Sequence, residues 1–280
     1  MSGPLIVQSD KTALLEIDHP DAVNARHDLS IFAELERAPE HIHTYRITKL
    51  GLWNARAAGH DSQFVTEVLE RYSKYPIPPA VTKDIADLMS RYGKLQIKRD
   101  DENRLLLLSD DKAVLTEVGR QKKIRELITE PVVGGFVLAE WARGAVKQEL
   151  LKIGWPAEDL AGYATGEPME IELVTEDWSL RAYQKQAVDR FKELGSGVVV
   201  LPCGAGKTLV GASAMAEIKT NTLILVTNSV SARQWRQELI NRTTLNEDQI
   251  AEYSGSSKEL AEVTIATYQI LTTKRAGQYR

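Results

Sequence analysis

The 280-residue chain holds a single cysteine, Cys203. A lone thiol excludes an internal disulfide framework and any cysteine-built zinc cluster. Long apolar runs are missing as well, since no stretch approaches the ~20 residues that span a bilayer. The first ten residues lack the basic start and apolar core of a signal peptide. A reducing, cytoplasmic setting with no membrane partner is therefore expected. Histidine is scarce. His41 and His43 fall on one side of an extended segment, but no third ligand lies near them in sequence. There is no repeat and no low-complexity tract, and 43% hydrophobic with 26% charged residues excludes bulk disorder.

Charge is unevenly placed. The net charge is −4, yet residues 181–280 carry 13 basic and 9 acidic side chains. A mildly basic final third beside an acidic remainder suits a nucleic-acid-facing segment next to a partner-facing one, or ordinary surface variation. The periodicity predicts two short strands about a turn at Ser9-Asp10-Lys11, then a helix over 21–38. Helices follow over 48–58, 61–72 and 80–92, and then a hairpin of 94–98 with 104–108. Three helices and a ribbon make a winged-helix pattern, which serves DNA or protein binding alike. A small α/β unit is expected over 109–168, with a strand pair near Val132–Leu138, a helix over 143–153 and a short helix over 157–163. Arg120-Gln-Lys-Lys-Ile-Arg125 is a basic cluster that suits DNA or a solvated helix face equally. Trp53, Trp141 and Trp155 read as core or interface anchors.

From about residue 176 the rhythm becomes α/β. Strands are expected at 198–201, 222–227 and 262–267, with helices at 182–194, 208–218 and 231–241 between them. The near-continuous apolar strands indicate a parallel sheet covered on both faces. A strand at Met169–Val174 precedes this unit.

The densest chemistry is Val198-Val-Val-Leu-Pro-Cys-Gly-Ala-Gly-Lys-Thr208, a strand, a small-residue loop and a helix start. Small residues let backbone N–H groups converge on a polyphosphate. The helix N-terminus adds positive partial charge, Lys207 adds a full charge, and the Thr208 hydroxyl can ligate Mg²⁺. Leu201 stands where the strict pattern has its first glycine, while Gly206-Lys207-Thr208 is intact. Cys203 within the loop reads as a small residue tolerated for packing rather than as a reactive thiol. Upstream, Arg181 and Gln184 share one helix face, and a glutamine amide offers the donor and acceptor that match an adenine edge.

Four segments stand in the order and spacing of superfamily 2 helicases and most closely resemble the XPB family. They are Arg181-Ala-Tyr-Gln184, Pro202-Cys-Gly-Ala-Gly-Lys-Thr208, Thr227-Asn-Ser-Val-Ser-Ala-Arg-Gln-Trp235 and Thr264-Ile-Ala-Thr-Tyr-Gln269. Arg91-Tyr-Gly93 and Lys152-Ile-Gly-Trp-Pro-Ala-Glu-Asp-Leu160 extend the likeness toward prokaryotic members. The resemblance implies an ATP-dependent DNA helicase with 3′–5′ polarity and Mg²⁺ and ATP as cofactors. It implies DNA as a partner, with a nuclease or another repair or transcription protein as a second.

By the same resemblance, Arg181 and Gln184 serve adenine, and Pro202, Cys203, Gly204, Ala205, Gly206, Lys207 and Thr208 serve the phosphates and metal. Lys207 and Thr208 are the catalytic residues it implies. Asn228, Ser229, Ser231, Thr267 and Tyr268 lie by one DNA strand. Short hydroxyl and amide side chains at strand ends suit phosphate oxygens without reading sequence, although Ser229 or Ser231 would equally suit a helix N-cap.

The expected organisation is an α+β accessory region, winged-helix-like over 1–108 with a small α/β, damage-recognition-like unit over 109–168. An α/β RecA-like P-loop domain, truncated, follows over 176–280. The family's D-E-x-H segment would follow Thr267, and no acidic residue lies beyond Glu262. The chain itself is thus expected to bind nucleotide weakly without turnover. The rival reading is a non-catalytic DNA- or protein-binding module carrying an inert motor remnant. A P-loop kinase or transport ATPase explains neither Gln184 nor Thr267-Tyr268.

Overall fold

The computed structural model describes residues 3–255 and 257–272, with backbone only at 274–275 and 278–279. It divides into two units, Met1–Tyr163 and Ala164–Arg280.

The first unit holds two hydrophobic cores. Strands Leu5–Val7 and Thr12–Glu16 pair antiparallel about the expected turn. Asp10 fixes that turn by accepting the Thr12 N–H at 2.9 Å and the Thr12 hydroxyl at 3.0 Å. These strands join Ile42–Ile47 and Ala33–Arg37 in a four-stranded antiparallel sheet, with Ala33–Arg37 at one edge. The helix expected over 21–38 is corrected accordingly. It spans only Ala22–Leu29, and the chain turns into the edge strand. Four of the five edge residues are exposed, so the strand carries little of the apolar alternation that marks one in sequence.

Helices Lys49–Ala57, Ser62–Tyr72 and Pro79–Met89 pack on this sheet. Their starts follow the capping chemistry of the sequence. Thr48 accepts the Gly51 N–H at 2.9 Å, Asp61 accepts the Phe64 N–H at 2.8 Å, and Pro79 occupies the first turn of the third helix. Val65, Val68, Leu69, Ile85 and Met89 turn inward with Leu5, Leu15 and Phe32. Buried Trp53 donates its indole N–H to the Leu88 carbonyl at 2.9 Å.

The hairpin Leu95–Arg99 with Leu105–Leu108 forms as expected, but it is not the wing of these helices. It is central to a five-stranded sheet ordered 128–132, 135–138, 105–108, 95–99 and 157–159. Leu95, Ile97, Leu105 and Leu107 alternate onto one face and pack with Val114, Val118, Ile124, Val146 and Leu150. A strand pair buried this fully needs its own helices to cover it, which overturns the winged-helix grouping. The short helix expected over 157–163 is also corrected, because Ala157–Asp159 is a strand parallel to residues 95–97. Asp159 holds it in place by accepting from Arg143 at 2.9 Å and Lys147 at 2.8 Å.

The second unit is α/β. Thr222–Val226, Val263–Thr267 and Ile250–Tyr253 form a parallel sheet with Val263–Thr267 in the middle. Helices Ala182–Leu194, Lys207–Ile218 and Ser229–Arg242 accompany it. A Cβ at Gly211 would come within 2.5 Å of the Trp235 ring, so glycine is what lets those helices approach. The middle strand is buried throughout, but Leu223 on its neighbour is 56% exposed, so cover on both faces holds for the centre alone.

Two expected strands do not form. Residues 169–174 make a strap instead. The Met169 N–H donates to the Lys219 carbonyl and the Val174 N–H to the Arg242 carbonyl, both at 2.9 Å, while Met169 and Ile171 are buried. Residues 198–201 have no pairing partner among the described strands, and Val198 and Val200 stand 90% and 87% exposed. Apolar character favours a strand there, but a strand also needs a hydrogen-bonding neighbour.

Candidate functional site

The phosphate-loop residues fold into a turn ahead of the Lys207–Ile218 helix. Gly204 and Gly206 both lie in the left-handed region, at φ 77° and 76°. Gly206 is the N-cap of the helix, where a side chain would be strained and its Cβ would sit 2.5 Å from Gln184 Nε2. These two glycines keep the concave side of the loop clear and leave the N-terminus of a 12-residue helix facing it.

Lys207 is exposed and folds back on its own loop. Its ammonium donates to the carbonyls of Leu201 at 2.8 Å and Pro202 at 3.0 Å. Those carbonyls are weak partners for a full charge compared with a phosphate oxygen. Thr208, half-buried in the first turn, has a hydroxyl suited to a divalent metal bound with phosphates. A small-residue cradle, a helix N-terminus, a lysine and a threonine together fit a magnesium–polyphosphate group.

Arg181 and Gln184 come beside the loop. Gln184 is buried, and both ends of its amide are engaged. Oε1 accepts the Arg181 N–H at 2.9 Å, and Nε2 donates to the Ala205 carbonyl at 3.0 Å. The same carbonyl accepts from the Tyr183 hydroxyl at 3.0 Å, and Arg181 donates to that hydroxyl at 3.1 Å. Gln184 thus fastens the loop to the start of the Ala182–Leu194 helix, while the Arg181 guanidinium reaches the loop through Tyr183. Tyr183 lies within the resembling segment but was not singled out by sequence reasoning.

A cavity of about 210 Å³ opens next to these residues, lined by Trp178, Arg181, Gln184, Gly204–Gly206, Leu209 and Arg242, among others. Neither Trp178 nor Arg242 stands out in the sequence as a site residue. They are 64 residues apart in the chain, and the strap at 169–174 brings them together.

The second group of candidate residues gathers at the ends of neighbouring strands. Val226 and Thr267 are paired in the parallel ladder, so Asn228, Ser229 and Ser231 emerge beside Thr267 and Tyr268. Gln269 ties the two turns together by donating to the Thr227 carbonyl at 2.9 Å. Asn228, rather than Ser229 or Ser231, caps the following helix, since its Oδ1 accepts the Ser231 N–H at 2.8 Å. Thr267 is buried and Tyr268 is 50% exposed. Neither Ser229 nor Ser231 is needed as the cap.

Two family models match the chain. One described as "Helicase conserved C-terminal domain" covers residues 5–132. One described as "Type III restriction enzyme, res subunit" covers residues 177–280. Among individual proteins, the chain is 60% identical over 278 residues to a DNA 3′-5′ helicase XPB of Kineococcus radiotolerans, covering 99% of this chain and 50% of that one. It is 58% identical over 279 residues to the protein of the same name in Mycobacterium tuberculosis, covering 99% and 51%. It is 29% identical over 283 residues to a general transcription and DNA repair factor IIH helicase/translocase subunit XPB of Enterocytozoon bieneusi, covering 98% and 46%. The chain spans about half the length of these curated relatives. Nearly every residue of the chain thus aligns with proteins named DNA 3′-5′ helicase XPB, over about half of their length.

Proposed function

We propose that the second unit binds ATP with Mg²⁺ and that it is the nucleotide-gripping part of a DNA helicase motor acting 3′ to 5′. The supporting observation is the loop itself, with two left-handed glycines, a clear concave side, a helix N-terminus and a lysine ammonium that, among the described residues, is held by two carbonyls. Lys207 leaves the Leu201 and Pro202 carbonyls and moves to the outer phosphates, trading neutral acceptors for charged ones. Backbone N–H groups at the head of the helix take the inner phosphate oxygens. The Thr208 hydroxyl would hold the metal, whose charge would offset that of the bound phosphates. Pro202, Cys203, Gly204 and Ala205 keep bulk away from the phosphates.

Asn228, Ser229, Ser231, Thr267 and Tyr268 take one DNA strand. The hydroxyls and the amide address phosphates, and the exposed Tyr268 ring offers a stacking face. ATP-driven movement along DNA would need a second motor half to complete the site, and the chain spans about half the length of the relatives named for that activity. This chain alone grips nucleotide weakly without turning it over, because no acidic side chain lines either cavity beside the loop. That observation also supports a second reading, in which the chain is a binding module for DNA or protein and its loop is inert.

Anisotropy of labelled single-stranded DNA with and without ATP–Mg²⁺ separates the two readings. The motor reading expects nucleotide to change a salt-sensitive DNA affinity and Lys207→Ala to abolish that change. An affinity indifferent to ATP favours the binding module.

A further inference from the structure

We propose that Ala164 and Thr165 are a two-residue pivot between the two units, with the chain clamped on one side by Arg143 and on the other by residues 219–221.

The clamp on the first unit is a single guanidinium. Arg143 opens the helix Arg143–Lys152 and grips Asp159, the last residue of the strand parallel to 95–97. Its Nη2 donates to Oδ1 at 2.9 Å and its Nε to Oδ2 at 3.0 Å. Two parallel bonds of this kind fix the plane of the fork. With that plane set, Nη1 donates to the Gly162 carbonyl, and the guanidinium carbon lies 5.2 Å from the centroid of the Tyr163 ring. Asp159 also accepts the Ala161 N–H at 3.3 Å, and the Leu160 N–H donates to the Ile97 carbonyl at 2.8 Å. Each residue from 159 to 163 is therefore bonded or stacked within its own unit.

The clamp on the second unit is backbone. The Asn221 N–H donates to the Glu167 carbonyl at 2.8 Å and the Met169 N–H to the Lys219 carbonyl at 2.9 Å. Gly166 packs so closely here that a Cβ would come 2.6 Å from Asn221 Oδ1 and 3.1 Å from Thr220 Cβ.

Ala164 and Thr165 lie between the clamps. Both are exposed, and among the described residues neither makes a hydrogen bond. A hinge is a few residues that absorb φ/ψ change while their neighbours hold still, and this arrangement meets that definition. From Tyr163 to Gly166 the chain reaches at most ~11 Å. So short a tether lets the units rotate but keeps them from separating. A turn of the second unit then reaches the first as rotation and is not lost in slack.

The test is electron–electron double resonance on the 280-residue chain. Nitroxides are placed at Lys123→Cys and Lys185→Cys, with Cys203→Ser removing the native thiol. The labelled parent is expected to give a broad distance distribution. Ala164→Pro with Thr165→Pro stiffens the pivot and should narrow it at least about 2-fold. Amide exchange reads the first clamp. Arg143→Lys keeps a charge beside Asp159 but loses the flat fork that reaches Gly162 and Tyr163. It should speed exchange at Ala161 roughly 10-fold or more, while Leu160, held by the Ile97 carbonyl, stays within about 2-fold. A narrow distribution in the parent, or a broad one untouched by the two prolines, overturns the pivot. Unchanged exchange at Ala161 overturns the clamp. Should Arg143→Lys also free Leu160, the strand itself has loosened, and Tyr163→Ala, which leaves Asp159 its partners, decides by the same readout.

Discussion

Gln184 donates its amide to the Ala205 carbonyl at 3.0 Å, and Gly206 is the residue that gives it room. A buried side chain 21 residues upstream thus holds the phosphate loop in shape. Gln184→Ala is expected to cost about 1–3 kcal/mol, because the Arg181 N–H loses its partner and the Ala205 carbonyl keeps only Tyr183. Gly206→Ala is expected to cost a further ~1–2 kcal/mol from its left-handed backbone, beyond the clash with Gln184. Hydrogen exchange at residues 203–208 would report both, and protection unchanged from wild type would show that the loop stands without this tie.

Tyr268 offers the cleanest test of the strand-facing surface. It is half exposed and sits at the end of the buried middle strand. Tyr268→Ala should weaken single-stranded DNA binding by about 1–3 kcal/mol with little change in thermal stability. Asn228→Ala is less clean, since losing the cap alone costs about 1 kcal/mol. DNA affinity unmoved by Tyr268→Ala would place the DNA elsewhere.

Much of the molecule is legible in the sequence where chemistry is local. Thr48 and Asp61 announce their helices because a cap is a short-range hydrogen bond. The glycine loop is legible because its backbone needs those residue types. Grouping is not local. Nothing in Lys94–Leu108 says whether the hairpin packs on the helices before it or the elements after it, and only the shared core decides. The polar edge strand Ala33–Arg37 lacks the alternation that would betray it. Trp178 and Arg242 escape notice because their contact depends on the strap.

Acid should loosen the first unit through Asp159. Burial pushes its carboxyl up, but hydrogen bonds from Arg143 and Lys147 outweigh burial and hold it below the usual carboxylate value. A carboxyl lowered on folding stabilises the fold above its unfolded value, and that contribution is lost as pH falls through the folded value. Thermal melts should therefore decline below about pH 4. Asp159→Asn should flatten that decline and cost about 2 kcal/mol at neutral pH, discounted from the ~3–5 of a fully buried pair. A variant with the same acid profile as wild type would remove Asp159 from the account.

The unpaired segment at 198–201 predicts association. Val198 and Val200 expose apolar side chains on a stretch without a strand partner among the described residues, which leaves its backbone free to pair with another chain. Val198→Lys with Val200→Lys should reduce concentration-dependent association in sedimentation runs while leaving the melting temperature nearly unchanged. Equal association by the variant would point to another surface, such as exposed Leu223 and Leu225.

The most direct test of the central claim is a titration of the 280-residue chain with ATP–Mg²⁺, wild type against Lys207→Ala. Among the described residues the Lys207 ammonium bonds the Leu201 and Pro202 carbonyls of its own loop, so the substitution should leave the melting temperature intact. Saturable binding by wild type, weakened roughly 10-fold or more in the variant, is the predicted result. No binding by wild type, or equal binding by both, would contradict the assignment of residues 202–208 as the phosphate-gripping loop.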